Sequence, residues 1–356
     1  METLFFIVCV IQIAFYSSFL RIFFRKNYCI ESDEGVSVII AARNEVKNLE
    51  KLVPKLLVQD YFKYEIIIVN DRSEDNTLDY LKSVQCSFMR IFTVGNTTKH
   101  TAPKKNALYL GIANAKYDLL VFTDADCIPC SDKWLSSFAQ KFDKDIEIVL
   151  GYSPYFSQGT LLNGLIRFET FLTAIQYFSA AAWGIPYMGV GRNLAYRKKL
   201  FTDNGGFEKH LHIKSGDDDL FVNEFATNKN TTWNIGASAT VFSIPKRTWK
   251  DWFLQKKRHI STGHHYKFYH IFLIGTFILS LLFFYVSLYS IFSNTNAIFI
   301  ALFRWLLVIM VWLKYKKLLQ ESLTLGFMCC LEPVFLVTYF FIGLQNLFSK
   351  EIRWKN

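Results

Sequence analysis

The residues best placed for chemistry are two aspartates, Asp124 and Asp126, just beyond the run Leu119-Leu120-Val121-Phe122. An apolar run of this kind, bounded by turn signals, reads as a buried strand of a mostly parallel sheet. In extended backbone alternate side chains point the same way, so acids spaced i, i+2 can face one side of the strand's end. Ligands of open α/β sheets bind outside the carboxyl ends of strands. Two hard oxygen donors placed there suit Mg²⁺ or Mn²⁺ shared with a phosphate-bearing substrate. The plainer alternative is a turn begun by Asp126 and a solvated Asp124. Three further acids, Asp217-Asp218-Asp219, stand before a helical pattern that opens at Leu220. Acids at a helix start meet the dipole favourably, and one held near a metal-bound phosphate can also serve as a general base. Cys127 and Cys130 form a CxxC behind the first pair, but no second CxxC or His pair completes a zinc set.

The elements that must hold these acids form a βαβα pattern from Val36 onward. Strands are expected over Val36 to Ala41, Glu65 to Val69 and Met89 to Val94, with the acid-bearing strand next. Asn44 is the expected cap of a helix over Val46 to Val58, which Pro54 should kink or shorten. A second helix starts near Asp75 to Thr77, and Pro103 can occupy the first turn of a third running to Ala115. Strands alternating with helices argue for a doubly wound, largely parallel sheet. The first loop, Ala41-Ala42-Arg43-Asn44-Glu45, has no glycine, and no GxxxxGK[ST] occurs in the chain. Dinucleotide-binding and P-loop readings fall on that absence.

The 356 residues suit two domains, or one domain and a membrane part. Hydrophobic residues are 51% and Phe alone numbers 35, while charged residues are still 20%, so the apolar excess must be localised. A formal net charge of +10 favours phosphates or an anionic membrane face. Nucleic acid is not expected as a partner, because the basic residues gather beside apolar segments. Seven cysteines without framework spacing fit a reducing, cytoplasmic setting.

Leu4 to Phe24 is long and apolar enough to span a bilayer, without the basic leader and A-x-A-like site of a removed signal peptide. Arg21, Arg25 and Lys26 follow it, which by the positive-inside rule puts the amino terminus outside and the next domain in the cytoplasm. Thr160 to Gly184 carries Arg167 and Glu169 and reads equally as an amphipathic surface helix or as an internal core helix. Lys246 to His270 mixes bases with aromatics, as segments at headgroup level do. Three apolar stretches close the chain, about Ile271 to Phe292, Ala297 to Leu313 and Thr324 to Phe348. With four spans Lys314, Lys316 and Lys317 fall inside, whereas Lys350, Arg353 and Lys355 end outside. A helix broken or made re-entrant at Glu332-Pro333 would relieve that conflict.

In order, the motifs resemble those of membrane-bound glycosyltransferase family 2. They are Ser37 to Glu45, Ile66 to Ser73 around Asp71, Lys104-Lys105-Asn106-Ala107-Leu108, Thr123-Asp124-Ala125-Asp126, Gly191 to Arg197, Gly216 to Leu220 and Gln255 to His259. The resemblance covers about Val36 to Thr262. It implies a GT-A nucleotide-diphospho-sugar transferase fold, a Rossmann-like mixed sheet, joined to N- and C-terminal transmembrane helices. The implied organisation is a transmembrane helix at 1–26, a cytosolic catalytic domain at 36–245, an interfacial segment at 246–270, about three transmembrane helices at 271–348 and a tail at 349–356. Ala41, Arg43, Glu45 and Asp71 would line the donor's nucleoside pocket, with Lys104 close to the donor. Asp124 would contact the nucleotide sugar and join Asp126 at the metal, Mg²⁺ or Mn²⁺. Gln255, Arg258 and His259 complete the donor contacts; the family's QxxRW is QxxRH here, so His259 replaces the indole. Aligned on Leu220, Gly216 takes the position of the family's usual Glu and Asp217 becomes the base; a shift of one residue chooses Asp218.

Family 2 enzymes invert the anomeric centre by single displacement. The expected activity is therefore transfer of a sugar from a UDP- or GDP-sugar to a membrane lipid or lipid-linked acceptor at the cytoplasmic face. Lipid glycosyltransferases such as ceramide glucosyltransferase are similar in arrangement. The alternatives are a processive polysaccharide synthase, for which four spans are few, and a non-catalytic membrane scaffold that binds nucleotide sugar. Sparse Ala and Gly with abundant Phe, Ile, Lys and Asn point to an AT-rich bacterial genome, and so to a bacterial cytoplasmic membrane.

Overall fold

The computed structural model describes residues 2–95, 102–292 and 294–348. In chain order the elements are α1 (Glu2–Phe19), β1 (Val36–Ala42), α2 (Val46–Leu57), β2 (Tyr64–Asn70), α3 (Thr77–Ser83), β3 (Met89–Thr93), α4 (Pro103–Ala113) and β4 (Leu119–Phe122). There follow β5 (Cys127–Pro129), α5 (Trp134–Ala139), β6 (Ile148–Gly151), α6 (Leu161–Ala182), β7 (Leu194–Arg197), α7 (Lys198–Asp203), α8 (Asp219–Phe225), β8 (Thr231–Asn234) and β9 (Val241–Ser243). The chain closes with α9 (Trp249–Gly263), α10 (Phe268–Val286), α11 (Thr295–Leu319) and α12 (Leu325–Phe348). Two compact units result. A sheet unit comprises 27–156 and 184–245; a helical unit comprises, among the described residues, 2–26, 157–183 and 246–348.

In the sheet unit seven strands lie in the order β3-β2-β1-β4-β7-β6-β8. The β1–β2, β1–β4, β2–β3 and β6–β8 pairings are parallel, while β7 runs antiparallel to both its neighbours. The β-branched runs Val38-Ile39-Ile40 and Ile66-Ile67-Ile68-Val69 are buried throughout, as strands covered on both faces must be. On one face Val38, Ile40, Ile66 and Ile68 pack with Leu49, Leu52 and Leu56 of α2 and with Trp134 and Phe138 of α5. On the other α4 approaches so closely that a Cβ on Gly111 would stand 2.9 Å from Ile39 Cγ2.

The expected strands and helices are present, with local differences. Asn44 does not cap α2. It adopts a left-handed φ of 55°, and its Oδ1 accepts the Glu74 N–H at 2.8 Å, joining the loops after β1 and β2. α2 runs past Pro54 to Leu57, because the proline removes one helical N–H donor near an end that was already short of partners.

In the helical unit α1 packs on α10 and α11, and α12 packs on α6, α9 and α10. Four segments are long and apolar enough to cross a membrane: Glu2–Phe24, Phe268–Val286, Thr295–Leu319 and Leu325–Gln345. α6 is buried around most of its surface, the core-helix alternative, and its charges are met inside the unit. Arg167 bonds Ser157 and Ser322 and pairs with Glu321, while Glu169 pairs with Lys256 and accepts the Tyr339 hydroxyl. α12 is continuous through Glu332-Pro333, so the break suggested by that dipeptide is absent; a single missing donor is tolerated when neighbouring helices pack around it. Lys350, Arg353 and Lys355 lie outside the described residues.

Glu332 is fully buried and ties the apolar helices together. It takes Arg304 of α11 at 3.2 Å, the Tyr16 hydroxyl of α1 at 3.1 Å and the Tyr285 hydroxyl of α10 at 2.6 Å. Arg304 also reaches Gln12 Oε1 at 3.2 Å and lies over the Phe284 ring. A charge in an apolar bundle is tolerable only when paired and hydrogen-bonded, and losing one partner leaves the other uncompensated. Glu332→Ala should therefore destabilise the full chain by about 3–5 kcal/mol, whereas the double change Arg304→Met, Glu332→Leu should cost far less. Thermal unfolding in detergent checks this; equal losses in both variants would refute it.

Candidate active site

The site is built where strands end. β1 leads into Arg43 through Ala41 and Ala42, β2 into Asp71, and β4 into Asp124 and Asp126. These strands are mutually parallel neighbours, with Ala42 opposite Asn70 and Ile39 opposite Phe122, so their carboxyl ends share one edge. The Asp71 N–H donates to the Ala42 carbonyl at 2.8 Å, which holds the first two ends together. Asp71 is fully buried; its Oδ1 meets Arg72, while Oδ2 has no hydrogen-bond partner among the described residues. The Arg43 Nε is likewise buried without a partner. An acceptor and a donor thus stand unpaired beside the ends of β1 and β2. Glu45 opens α2, with its backbone N–H on Thr77 Oγ1 and its carboxylate on the Asn48 side-chain amide.

At the end of β4 the acids meet a cation. Lys104, in the first turn of α4, lies 3.1 Å from Asp124 Oδ1 and 2.9 Å from Asp217 Oδ2. The acid before α8 and the acid after β4 are far apart in sequence, and one ammonium bridges them. Burial opposes the charge of Lys104, but Asp124, Asp217 and Asp218 outweigh it and hold the ammonium well above its ordinary value. Lys105 points elsewhere: it is buried and donates to the carbonyls of His210 at 2.7 Å and Ile213 at 3.1 Å, pinning the loop that leads to Asp217.

Asp217 and Asp218 have different surroundings. Asp218 is the N-cap of α8; its Oδ1 accepts the Asp219 N–H at 2.8 Å and its Oδ2 the Gly191 N–H at 2.6 Å. Burial, reinforced by the charges of Asp217 and Asp219, pushes its carboxyl up to about 7. Asp217 is only 9% exposed, and among the described residues its side chain is bonded to Lys104 alone. Gly216 before it has a φ of +86°, and a Cβ there would stand 2.4 Å from Leu220 Cδ1.

Cys127, directly after Asp126, is buried and directs its thiol at Asp126 Oδ1 at 3.6 Å. Burial and the charges of Asp126 and Asp124 push that thiol well up, so it stays protonated. Cys127 and Cys130 are both free thiols. Among the described residues no three His, Cys, Asp or Glu side chains form a ready metal cage. A metal at Asp124 and Asp126 would take its other oxygens from substrate and water. That donor set fits Mg²⁺, which is usually held by one or two carboxylates plus substrate phosphates.

Of the residues singled out in the sequence, Lys104, Asp124, Asp217 and Asp218 come together, with Ala41 near the end of strand β1 and Arg43, Glu45 and Asp71 just beyond the strand ends of the same unit. Gln255, Arg258 and His259 lie on α9 in the helical unit. Residue types and spacing alone assign no role to Lys105 or to Arg192, although both fall in the quoted motifs. Adjacent lysines at a helix start were the available signal for the first.

Comparison with known proteins agrees with this architecture. The description "Glycosyl transferase family 2" matches residues 37–205, and "Glycosyl transferase family group 2" matches residues 124–342, more than half of the chain. A poly-beta-1,6-N-acetyl-D-glucosamine synthase of Staphylococcus aureus is 34% identical over 103 residues, 29% of this chain and 24% of that protein. A 4,4'-diaponeurosporenoate glycosyltransferase of Staphylococcus haemolyticus is 33% identical over 112 residues, 32% of this chain and 29% of that protein. The matches thus span less than a third of the relatives' own length. Among solved structures, a mannosyltransferase from Pyrobaculum calidifontis, in complex with GDP-Man and Mn²⁺, superposes with a TM-score of 0.61 over 98% of this chain and 96% of that one. At 15% identity that likeness speaks for the fold. With the mixed sheet and four apolar helices already described, these matches identify the chain as a member of glycosyl transferase family 2, a glycosyltransferase of GT-A fold.

Proposed function

We propose that the protein moves one sugar from a nucleotide-diphospho-sugar, UDP- or GDP-linked, to a lipid or lipid-linked acceptor, with inversion, at the cytoplasmic face of a bacterial membrane. The observation that carries the reading is the Lys104 bridge between Asp124 and Asp217, in a chain that also has four helices able to cross a bilayer. The unpaired Asp71 Oδ2 and Arg43 Nε offer an acceptor and a donor to a nucleoside, beside Ala41 and Glu45. Asp126, with Asp124, is assigned the divalent ion, whose positive charge would favour departure of the diphosphate. The solved mannosyltransferase of like fold holds Mn²⁺ and GDP-Man, which supports that assignment. Gln255, Arg258 and His259 keep the donor role that the family resemblance gives them.

Asp217 is assigned the proton of the acceptor hydroxyl. Its oxygens are not committed to backbone N–H groups, while both oxygens of Asp218 are. Lys104 orients Asp217 through their ion pair at 2.9 Å. Attack from the face opposite the leaving diphosphate then gives inversion.

A second reading, a processive polysaccharide synthase, draws support from the stretch shared with the poly-N-acetylglucosamine synthase. The experiment for both is a panel of UDP- and GDP-sugars given to the purified full chain with a bacterial lipid extract and Mg²⁺ or Mn²⁺, read by mass spectrometry. A lipid carrying one added sugar supports single transfer, a ladder of products supports the synthase, and no product from any donor defeats both. The assignment of the base is tested separately. Asp217→Asn should lower turnover by about 10²–10⁴-fold. Asp218→Asn, which keeps a capping side chain, should lower it about tenfold or less; the reverse order would transfer the proton to Asp218.

Asp218 also makes stability depend on pH. Its folded value, about 7, lies above the ordinary aspartate value of 3.8, so the folded chain keeps a proton that the unfolded chain releases. The contribution is complete below the unfolded value and is lost as pH rises through about 7. Between pH 5 and 8 the unfolding temperature should fall more steeply for the wild type than for Asp218→Asn. Parallel curves would show that the carboxyl does not titrate there.

A further inference from the structure

We propose that Arg192 is a binding residue for a phosphate oxyanion, carried either by the donor's diphosphate or by a phosphorylated acceptor. Arg192 sits in the loop before β7, which is held rigidly by its neighbours. Asn193 is fully buried, donates to the carbonyls of Tyr152 and Ala239, each at 2.7 Å, and accepts the Trp134 indole N–H at 3.0 Å. Gly191 on the other side donates to Asp218. The guanidinium carbon lies over the Tyr155 ring, 4.4 Å from its centroid. Tyr155 bridges to Ser243, and Ser243 is also the partner of Cys127 in the β5–β9 pair. Arg192 is thereby placed beside the strand that starts directly after Asp126.

This cation lacks a matching anion. Among the described residues it makes no ion pair within 4.0 Å and no hydrogen bond, and its Nη1 is buried without a partner. Burial opposes its charge, while Tyr155, Cys127, Asp124 and Asp126 favour it from further away, and the balance keeps it protonated. An arginine that is stacked, fixed and unpaired presents its fork to a planar or tetrahedral oxyanion. A phosphate fits better than a carboxylate of the chain, because Asp124 already meets Lys104 and Asp218 already meets two backbone donors. The inference deepens the proposed function and rests on its placement of a phosphate-bearing substrate at this edge of the sheet.

The test compares the full-length wild type with Arg192→Gln and Arg192→Lys in nanodiscs, by ligand-induced thermal shift and equilibrium binding. The probes are UDP and GDP with Mn²⁺, a polyprenyl phosphate, and, as uncharged controls, uridine, guanosine and diacylglycerol. Arg192→Gln should weaken at least one phosphate-bearing probe by about tenfold or more, leave the uncharged probes unchanged, and be partly rescued by Arg192→Lys. A loss confined to UDP or GDP assigns the donor; a loss confined to the polyprenyl phosphate assigns the acceptor. Unchanged binding of every phosphate-bearing probe, or no binding of any of them by the wild type, overturns the proposal. If Arg192→Gln does not fold, Arg192→Lys carries the comparison, because losing the fork alone should still weaken the probe. Phosphate binding that depends on Arg192 in a protein that makes no sugar product would leave this inference standing and defeat the proposed activity.

Discussion

The site depends on the ammonium of Lys104. Asp124 and Asp126 stand after β4, and Asp217, Asp218 and Asp219 stand at the start of α8; brought to one place without a cation, such acids would repel or take up protons. Lys104 joins the two groups at 3.1 and 2.9 Å. Its position follows from α4, whose first turn Pro103 starts and whose Gly111 lets the helix lie against Ile39. A side chain at Gly111 would push α4 off the sheet and move the ammonium with it. A packing requirement at the far end of a helix thus sets the electrostatics at its start.

The helical unit meets a different requirement with the same means. Apolar surroundings give a polar group no water to fall back on, so each charge must find its partner inside the protein. Arg304 with Glu332, Arg167 with Glu321 and Lys256 with Glu169 are such pairs, each joining different segments of the chain. Buried pairs of this kind contribute little net stability over an apolar core. Their effect is to specify which helix faces which, since any other rotation of α11 or α12 strands a charge.

Much of this was legible in the chain because the local signals agreed. Continuous β-branched runs gave β1 and β2, turn residues bounded them, and Pro103 gave the start of α4. The acid pair after β4 followed from its spacing alone. What stayed hidden depends on contacts between distant segments. The antiparallel β7 within a parallel sheet, and the small β5–β9 pair, follow from chain returns that no window of residues reveals. Asn44 looked like a cap because Asn favours that position, yet its side chain is used across a loop by Glu74. Glu332-Pro333 looked like a break because proline ends helices in water; packed among other helices it does not. Arg192 read as one base in a motif, and only the tertiary structure shows its stacking on Tyr155 and its lack of an ion pair among the described residues.

The departure at Gly216 has a local cause. With φ at +86° the chain turns sharply into the acid triad, and a Cβ at this position would stand 2.4 Å from Leu220 Cδ1. The glutamate usual in the family could not be placed here without rebuilding the turn. That turn delivers Asp217 to Lys104, while the next residue, Asp218, caps α8. Three like-charged neighbours are thereby given three environments: an ammonium for Asp217, two backbone donors for Asp218, and the N–H of Leu220 for Asp219. Burial, reinforced by the charges of its two neighbours, raises Asp218, whose acceptors the backbone already uses, while Asp217 meets the ammonium of Lys104. The absence of a glutamate side chain and the different surroundings of Asp217 and Asp218 therefore go with one backbone conformation.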